Sequence, residues 1–173
     1  VSEQKRTIEL MPYTPMYKEF YLKECKALEK VLRSNCIEVY HIGSTSIPTI
    51  MAKPIIDILC VVHTLDEISH FKDEFERLGL EWKGEFGIPQ RLYFVRKAKD
   101  GLTHLSHIHI FEKGNERIND HLDFRDYLKA EPKIAKEYEK LKIELRDKFK
   151  DDPKAYQAGK SSFIEMVLKT LEG

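Results

Sequence analysis

Asp57 is the one acid in the apolar run Ile55 to Val62. An unpaired carboxylate inside a buried strand is too costly to be idle. Upstream, a second apolar run, Ile37 to Ile42, breaks at Gly43-Ser44 and continues through Thr45, Ser46 and Pro48. A glycine-bearing turn that leads into a helix start presents backbone N–H groups to a phosphate. A carboxylate on the following strand can hold the magnesium ion that accompanies a phosphate. The stretch from His41 to Val62 therefore predicts a phosphate-and-metal site centred on Gly43, Ser44 and Asp57. The alternative for Asp57 is a structural carboxylate that caps a loop or pairs with a buried arginine.

Other residues qualify by type and position. Thr45 and Ser46 offer hydroxyls to phosphate oxygens, or else serve the turn and its helix cap. Lys53 supplies a point charge beside them. His107 and His109 stand two apart in the segment Thr103 to Phe111, so on a strand both imidazoles share a face; the plain alternative is two ordinary hydrogen-bonded histidines. His41 is a weaker candidate of the same kind. Arg125 lies between Leu122 and Leu128, and Lys160 between Tyr156 and Phe163, each on an apolar helical stripe. A cation on a packed face needs an anion, either Asp57 or Asp126 or a bound phosphate or carboxylate. Lys160 has the further alternative of snorkelling to solvent. Arg91 and Arg96 are secondary phosphate contacts. His104-Leu105-Ser106 fits the H-x-S element of two-histidine phosphoesterases, but that chemistry needs a second copy, which the sequence lacks.

The phrase HIGSTSIPTIMAKPIIDI resembles the signature of the GrpB-like family, which has the nucleotidyltransferase (polymerase-β-like) fold. HLDFRDYLKAEPKIAKEYEKLK, from His121 to Lys142, and the helix around Tyr156, Lys160 and Phe163 extend the resemblance over almost the whole chain. The family pattern is Gly-Ser, a spacer, then an acid on a strand, filled here by Gly43-Ser44 and Asp57. What the resemblance implies is transfer of a nucleotidyl group from a nucleoside triphosphate to an unidentified acceptor, with a divalent metal. It places His107 and His109 on the strand that bears the third acid of active members. With Asp57 they would form a metal set suited to a transition ion, since imidazole favours zinc, manganese, iron or nickel over magnesium. Active enzymes of this fold carry a second strand acid at i+2, where this chain has Leu59, so the expected two-metal clamp is incomplete. Glu38 and Glu112 are the nearest replacements by strand position. The alternative is a catalytically degenerate nucleotide- or phosphate-binding module; the family's likeness to a domain fused to dephospho-coenzyme A kinase suits an accessory role.

The elements that must position these residues follow from periodicity. Tyr17, Tyr21, Cys25, Leu28 and Leu32 predict a helix from Thr14-Pro15 to about Arg33, after an irregular or extended lead-in over Val1 to Pro15. Leu65, Ile68, Phe71, Phe75 and Leu78 predict another, closed by Gly79. Glu81 to Phe86 reads as a short strand, and Arg91 to Lys97 with Thr103 to Phe111 as a hairpin turning at Asp100-Gly101. From Asn115 the signals are helical, with Pro132 and Pro153 starting the later two helices. The expected fold is α/β (α+β): a small mixed sheet flanked by helices, a single domain with a sheet-bearing part over about 1–112 and a helical part over about 113–173.

Lys+Arg and Asp+Glu both number 29, so no bulk charge advertises a nucleic acid or a membrane. The expected ligand is a nucleotide or another phosphorylated small molecule. No run is long enough to span a bilayer, and the start lacks the charged-then-apolar pattern of a signal peptide. Cys25, Cys36 and Cys60 are isolated and odd in number, which predicts reduced thiols and a cytoplasmic location.

Overall fold

The computed structural model describes residues 7–173; residues 1–6 of the expected lead-in lie outside the described residues. From Thr7 to Pro15 the chain is irregular but tied down. Ile8 N donates to Lys150 O at 3.1 Å, and Met11 forms an isolated antiparallel bridge with Ala52. The ordered elements are α1 (Met16–Leu32), β1 (Cys36–Ile42), β2 (Ile56–Val62), α2 (Lys72–Arg77), β3 (Leu80–Trp82), β4 (Arg91–Lys97), β5 (His104–Glu112), α3 (Glu116–Ala130), α4 (Pro132–Lys148) and α5 (Pro153–Glu172). Single 3₁₀ turns span Arg33–Asn35, Ser44–Ser46 and Ile68–Phe71. No helix among the described residues is long and apolar enough to cross a membrane.

The five strands form one sheet in the order β1-β2-β5-β4-β3. β2 and β5 run parallel, and the other neighbours are antiparallel. Asp57 lies opposite His107 and Leu59 opposite His109, while Tyr93 lies opposite His109. Because strand side chains alternate, Asp57, Leu59, His107, His109 and Tyr93 share one sheet face. The other face carries Ile56, Ile58, Cys60, Val62, Ile108 and Ile110, buried with Leu28, Val31 and Leu32 of α1 and Phe75 of α2. β2 is apolar on both faces because both are covered.

Two predicted elements came out shorter. The helix expected over Leu65 to Leu78 is a 3₁₀ turn followed by α2 alone. Just ahead of this segment Asn35 accepts from Thr64 N at 3.0 Å and donates to Thr64 O at 2.9 Å, which fixes where the chain leaves β2. The strand expected over Glu81 to Phe86 ends at Trp82. Tyr93 still bonds Lys83 N and Gly84 O, but Gly84, Phe86, Gly87 and Gln90 all take positive φ and turn the chain away.

The helical part packs on the loop that joins β1 to β2. Ile47 and Ile50 are buried with Leu128 of α3, Ala135 and Tyr138 of α4 and Val167 of α5. One turn apart on α4, Glu139 accepts from Met51 N and Lys142 donates to Met51 O, both at 2.6 Å. A backbone that cannot join a sheet is thus satisfied by two side chains. On the opposite face, Glu24 of α1 is buried and accepts from Arg96 Nε at 2.9 Å, Arg96 Nη2 at 2.8 Å and Ser106 Oγ at 2.8 Å. That network fastens α1 across β4 and β5. Arg96, a secondary phosphate candidate, is therefore committed to structure on the far face. Glu24→Ala is expected to cost about 3–5 kcal/mol by stranding the Arg96 charge. Urea unfolding measures it, and a cost below about 1 kcal/mol, the range of exposed pairs, would place the pair in solvent instead.

Candidate functional site

The loop from Gly43 brings the turn backbone directly against Asp57. Gly43 has φ +72°, and a Cβ there would stand 2.5 Å from Asp57 Oδ2, so only glycine fits both the conformation and the approach. Ser44 and Thr45 line the cleft that opens beside this contact. Thr45 Oγ1 lies 2.9 Å from His41 Nε2, and the His41 ring stacks on Tyr21 of α1 with centroids 5.1 Å apart. Ser46 does not line the cleft. Its hydroxyl donates to Gly43 O, so it holds the turn, and its expected place among the phosphate contacts is corrected on that ground.

Arg125 is also elsewhere. Its Nη1 donates to His41 O at 3.1 Å and its Nε to Asp126 at 2.9 Å, which ties α3 to the end of β1 outside the cleft. The demand for an anionic partner was sound; the partner is Asp126. Lys53, Arg91 and Lys160 do line the cleft. Lys53 Nζ and Lys160 Nζ each lie 4.9 Å from the ring centroid of Tyr156, a buried tyrosine of α5, so one aromatic ring steadies two ammonium groups.

The cleft encloses about 600 Å³, within the range of small-molecule sites. Among the described residues six cationic side chains line it, Lys53, Lys83, Arg91, Lys142, Lys154 and Lys160, against one acid, Asp57. Some are neutralised or engaged locally: Lys83 pairs with Glu81 at 2.7 Å, and Lys142 bonds Met51 O. Lys142 is only 1% exposed. Burial, then the neighbouring charges of Lys160 and Lys53, pulls its pKa down to about 7, with Glu139 and Asp57 opposing. Burial and Lys53 likewise lower Lys160 to about 8. Ammonium groups held below their ordinary values, first by burial and then by a neighbouring cation, mark a place where added negative charge is stabilising.

Asp57 is one-third exposed, and its Oδ1 lies 3.8 Å from His107 Nδ1 and 3.9 Å from His109 Nε2. Burial alone would raise its pKa, but His109, His107 and then Lys160 outweigh it, and the carboxyl titrates below its ordinary value. His107 Nε2 is 2.8 Å from His104 Nδ1, so a third histidine is linked to the pair. His121 of α3 packs against His109 at 5.4 Å, and burial, first, drops its pKa to about 4, leaving it neutral.

Whether Asp57, His107 and His109 suit a transition metal is decided by Arg91. Its Nη1 sits 3.2 Å from His109 Nδ1. A guanidinium has only donors, so Nδ1 accepts and the imidazole proton of neutral His109 is on Nε2, facing Asp57. Metal-binding histidines show the reverse, a free nitrogen toward the metal and an N–H donated outward. Among the described residues no three His, Cys, Asp or Glu side chains group to hold a metal ion. The expected three-residue metal set is therefore corrected to an electrostatic cluster in which imidazoles face a carboxylate. A second carboxylate does not converge either. Leu59 fills the i+2 place under Phe111, and Glu38 and Glu112 lie opposite Val61 and Val62, at the far end of β2.

Lys142, Lys83, Lys154 and Tyr156 were missed as cleft residues. Lys142 carried the signal used for Lys160, a lysine on the apolar stripe between Tyr138 and Leu145. Lys83 and Lys154 carried none.

A family model described as GrpB protein matches residues 7–170. UPF0157 protein YqkA of Bacillus subtilis is 42% identical over 161 residues, 93% of this chain but 46% of that protein, so the chain spans under half of that relative's length. The glutamate-rich protein GrpB of Alkalihalophilus pseudofirmus is 31% identical over 169 residues, covering 96% and 97% of the two chains. Among solved structures, the conserved protein GrpB from Enterococcus faecalis superposes with a TM-score of 0.87 at 38% identity, covering 94% of this chain and 96% of that one. The Cid1 poly(U) polymerase, at 14% identity and a TM-score of 0.52 over 79% of this chain and 42% of its own, shares the nucleotidyltransferase-like fold.

The depressed lysines set a pH dependence. Lys142 binds its proton more weakly folded, near 7, than unfolded, near its ordinary 10.5, so the unfolded chain holds more protons between those values and stability rises with pH there. Lys142→Met removes that titration. Urea unfolding at pH 6.5 and 9.5 is expected to show the stability of the wild type relative to Lys142→Met increasing with pH; parallel behaviour would mean that Lys142 keeps an ordinary pKa.

Proposed function

The chain belongs to the GrpB family, and on that premise we propose that it binds the phosphate groups of a nucleotide or another phosphorylated small molecule in the cleft beside Asp57. One observation carries this reading: among the described residues six cations and one carboxylate line a cleft, in a chain whose charges balance overall at 29 and 29. Lys53, Lys142 and Lys160 come from the loop after the Gly43-Ser44 turn and from α4 and α5, and they converge on one side of Asp57. A bound polyanion relieves their mutual repulsion and raises their pKa values, so binding takes up protons. Ser44 and Thr45 bring hydroxyls and turn backbone to the same anion. The fold supports a nucleotide as the phosphorylated ligand, since Cid1 has been solved in complex with MgATP.

A second reading, nucleotidyl transfer from a nucleoside triphosphate to an acceptor, is favoured by the packing of the Gly43-Ser44 turn on Asp57. Two-metal chemistry lacks its second carboxylate here. One magnesium ion shared with the phosphates needs only one or two carboxylates, and Asp57, ionised at neutral pH, supplies one. Such an ion would offset phosphate charge during transfer.

Asp57→Asn separates the two readings. In calorimetric titrations with ATP, UTP and tripolyphosphate, the binding reading expects affinity without magnesium that Asp57→Asn leaves equal or tighter, because the one opposing charge is gone. The transfer reading expects magnesium-dependent nucleotide binding that Asp57→Asn abolishes. Lys160→Met is expected to weaken either ligand about 10- to 100-fold, the worth of one charge-assisted contact. Affinity of the wild type is expected to fall from pH 7.5 to pH 9.5 as Lys160 loses its proton. No binding of any phosphate compound would remove the proposal.

A further inference from the structure

At the mouth of the cleft the loop 83–90 holds one side chain that neither the fold nor the phosphate site uses. Phe86 is 62% exposed, the one phenylalanine so exposed among the described residues, and it lines the cleft. Its ring stacks on Tyr93 with centroids 5.3 Å apart and planes 17° from parallel. Tyr93 is nearly buried and in turn packs on His109 at 5.2 Å and His107 at 5.6 Å. A continuous column of rings thus runs from the imidazoles facing Asp57 out to Phe86.

The position is enforced against local preference. Phe86 has φ +48°, a conformation that bulky residues rarely adopt, and such outliers persist only where surrounding contacts over-determine them. Those contacts come from Arg91. Its Nη2 donates to Glu85 O at 3.2 Å and Phe86 O at 3.0 Å, and its Nε to Glu85 O at 3.3 Å, while its guanidinium lies over Tyr93 at 4.5 Å. Gln90 N also donates to the Glu85 carboxylate at 2.6 Å. A buried arginine is spent on presenting a phenylalanine to solvent in a fixed orientation, when hydrophobic packing would turn it inward.

We infer that Phe86 is a stacking platform for an aromatic heterocycle, so that the ligand of this cleft is a nucleotide with its base on Phe86 and its phosphates among Lys53, Lys142 and Lys160. The inference rests on the phosphate-binding reading above and adds the base to it. Tyr93 stands two strand spacings from β2, roughly 10 Å, which separates the platform from the Gly43–Asp57 contact by the span of a nucleoside. An aromatic face accepts any base, because every base has a π surface. The ring, backed by Tyr93 and with the Lys83 ammonium over it at 6.0 Å from its centroid, has the size of a base and not of a protein interface, and a base stacked on it would meet that cation as well.

Calorimetric titration of tripolyphosphate and of ATP, GTP, CTP and UTP into wild type, Phe86→Ala and Phe86→Tyr tests this, with thermal melts verifying that each variant is folded. Phe86→Ala is expected to weaken the nucleotide about 5- to 100-fold, the usual worth of one base stack. Tripolyphosphate affinity should change less than about twofold, and Phe86→Tyr should restore nucleotide binding, as a conserved π face demands. Equal loss for both ligands, no loss for either, or a wild type that binds tripolyphosphate as tightly as every nucleotide would overturn the platform while leaving the phosphate site standing. If neither ligand class binds the wild type, the phosphate reading fails and the platform falls with it.

Discussion

Charge in this molecule is balanced over the whole chain and unbalanced in one place. Among the described residues the carboxylate of Asp57 is the one negative group lining a cleft of six cations, and its environment keeps it ionised and in position. Gly43 must lack a side chain because the carboxylate occupies that space. His109 must carry its proton toward Asp57 because Arg91 donates to its other nitrogen. Arg91, in turn, holds the loop that bears Phe86. One interaction therefore links the turn, two central strands and the rim of the cleft, and a change at Arg91 would act on all of them.

The helical part supplies half of the site. The acid and the glycine turn come from the sheet, whereas Lys142, Lys154 and Lys160 come from α4 and α5. Glu139 and Lys142 grip both backbone groups of Met51, so the helices hold the very loop that delivers Lys53. Lys142 serves both purposes at once. Its ammonium satisfies a buried carbonyl and adds positive charge to the cleft, at the cost of a pKa drawn down to about 7. An apolar residue there would leave the buried Met51 carbonyl without this bond.

Several parts of the site were legible because they depend on local order. The turn at Gly43-Ser44, the inward acid at Asp57 and the shared face of His107 and His109 follow from strand period and from the special conformation of glycine. Helix boundaries at Pro132 and Pro153 likewise follow from the fixed φ of proline. The same reasoning placed Arg125 and Lys160 on packed helical stripes, and both do lie on packed helices. It could not say what each stripe packs against. Arg125 meets the end of β1 and its neighbour Asp126, whereas Lys160 and the overlooked Lys142 line the cleft with Asp57.

The sequence by itself determined the order of strands and helices, the glycine-turn-and-acid pair and the absence of a second strand acid beside Asp57. These are properties of a few consecutive residues, and backbone sterics and side-chain period act at that range. Only the tertiary structure decided which cations face the acid, which tautomer His109 holds, and that Phe86 stands exposed at the rim. Each of those depends on residues far apart in the chain meeting in space: Arg91 with His109, Lys142 with Met51, Phe86 with Tyr93. Periodicity names the face a side chain occupies, but packing between elements chooses the partner across it, and the chemistry of this cleft lies in those partners.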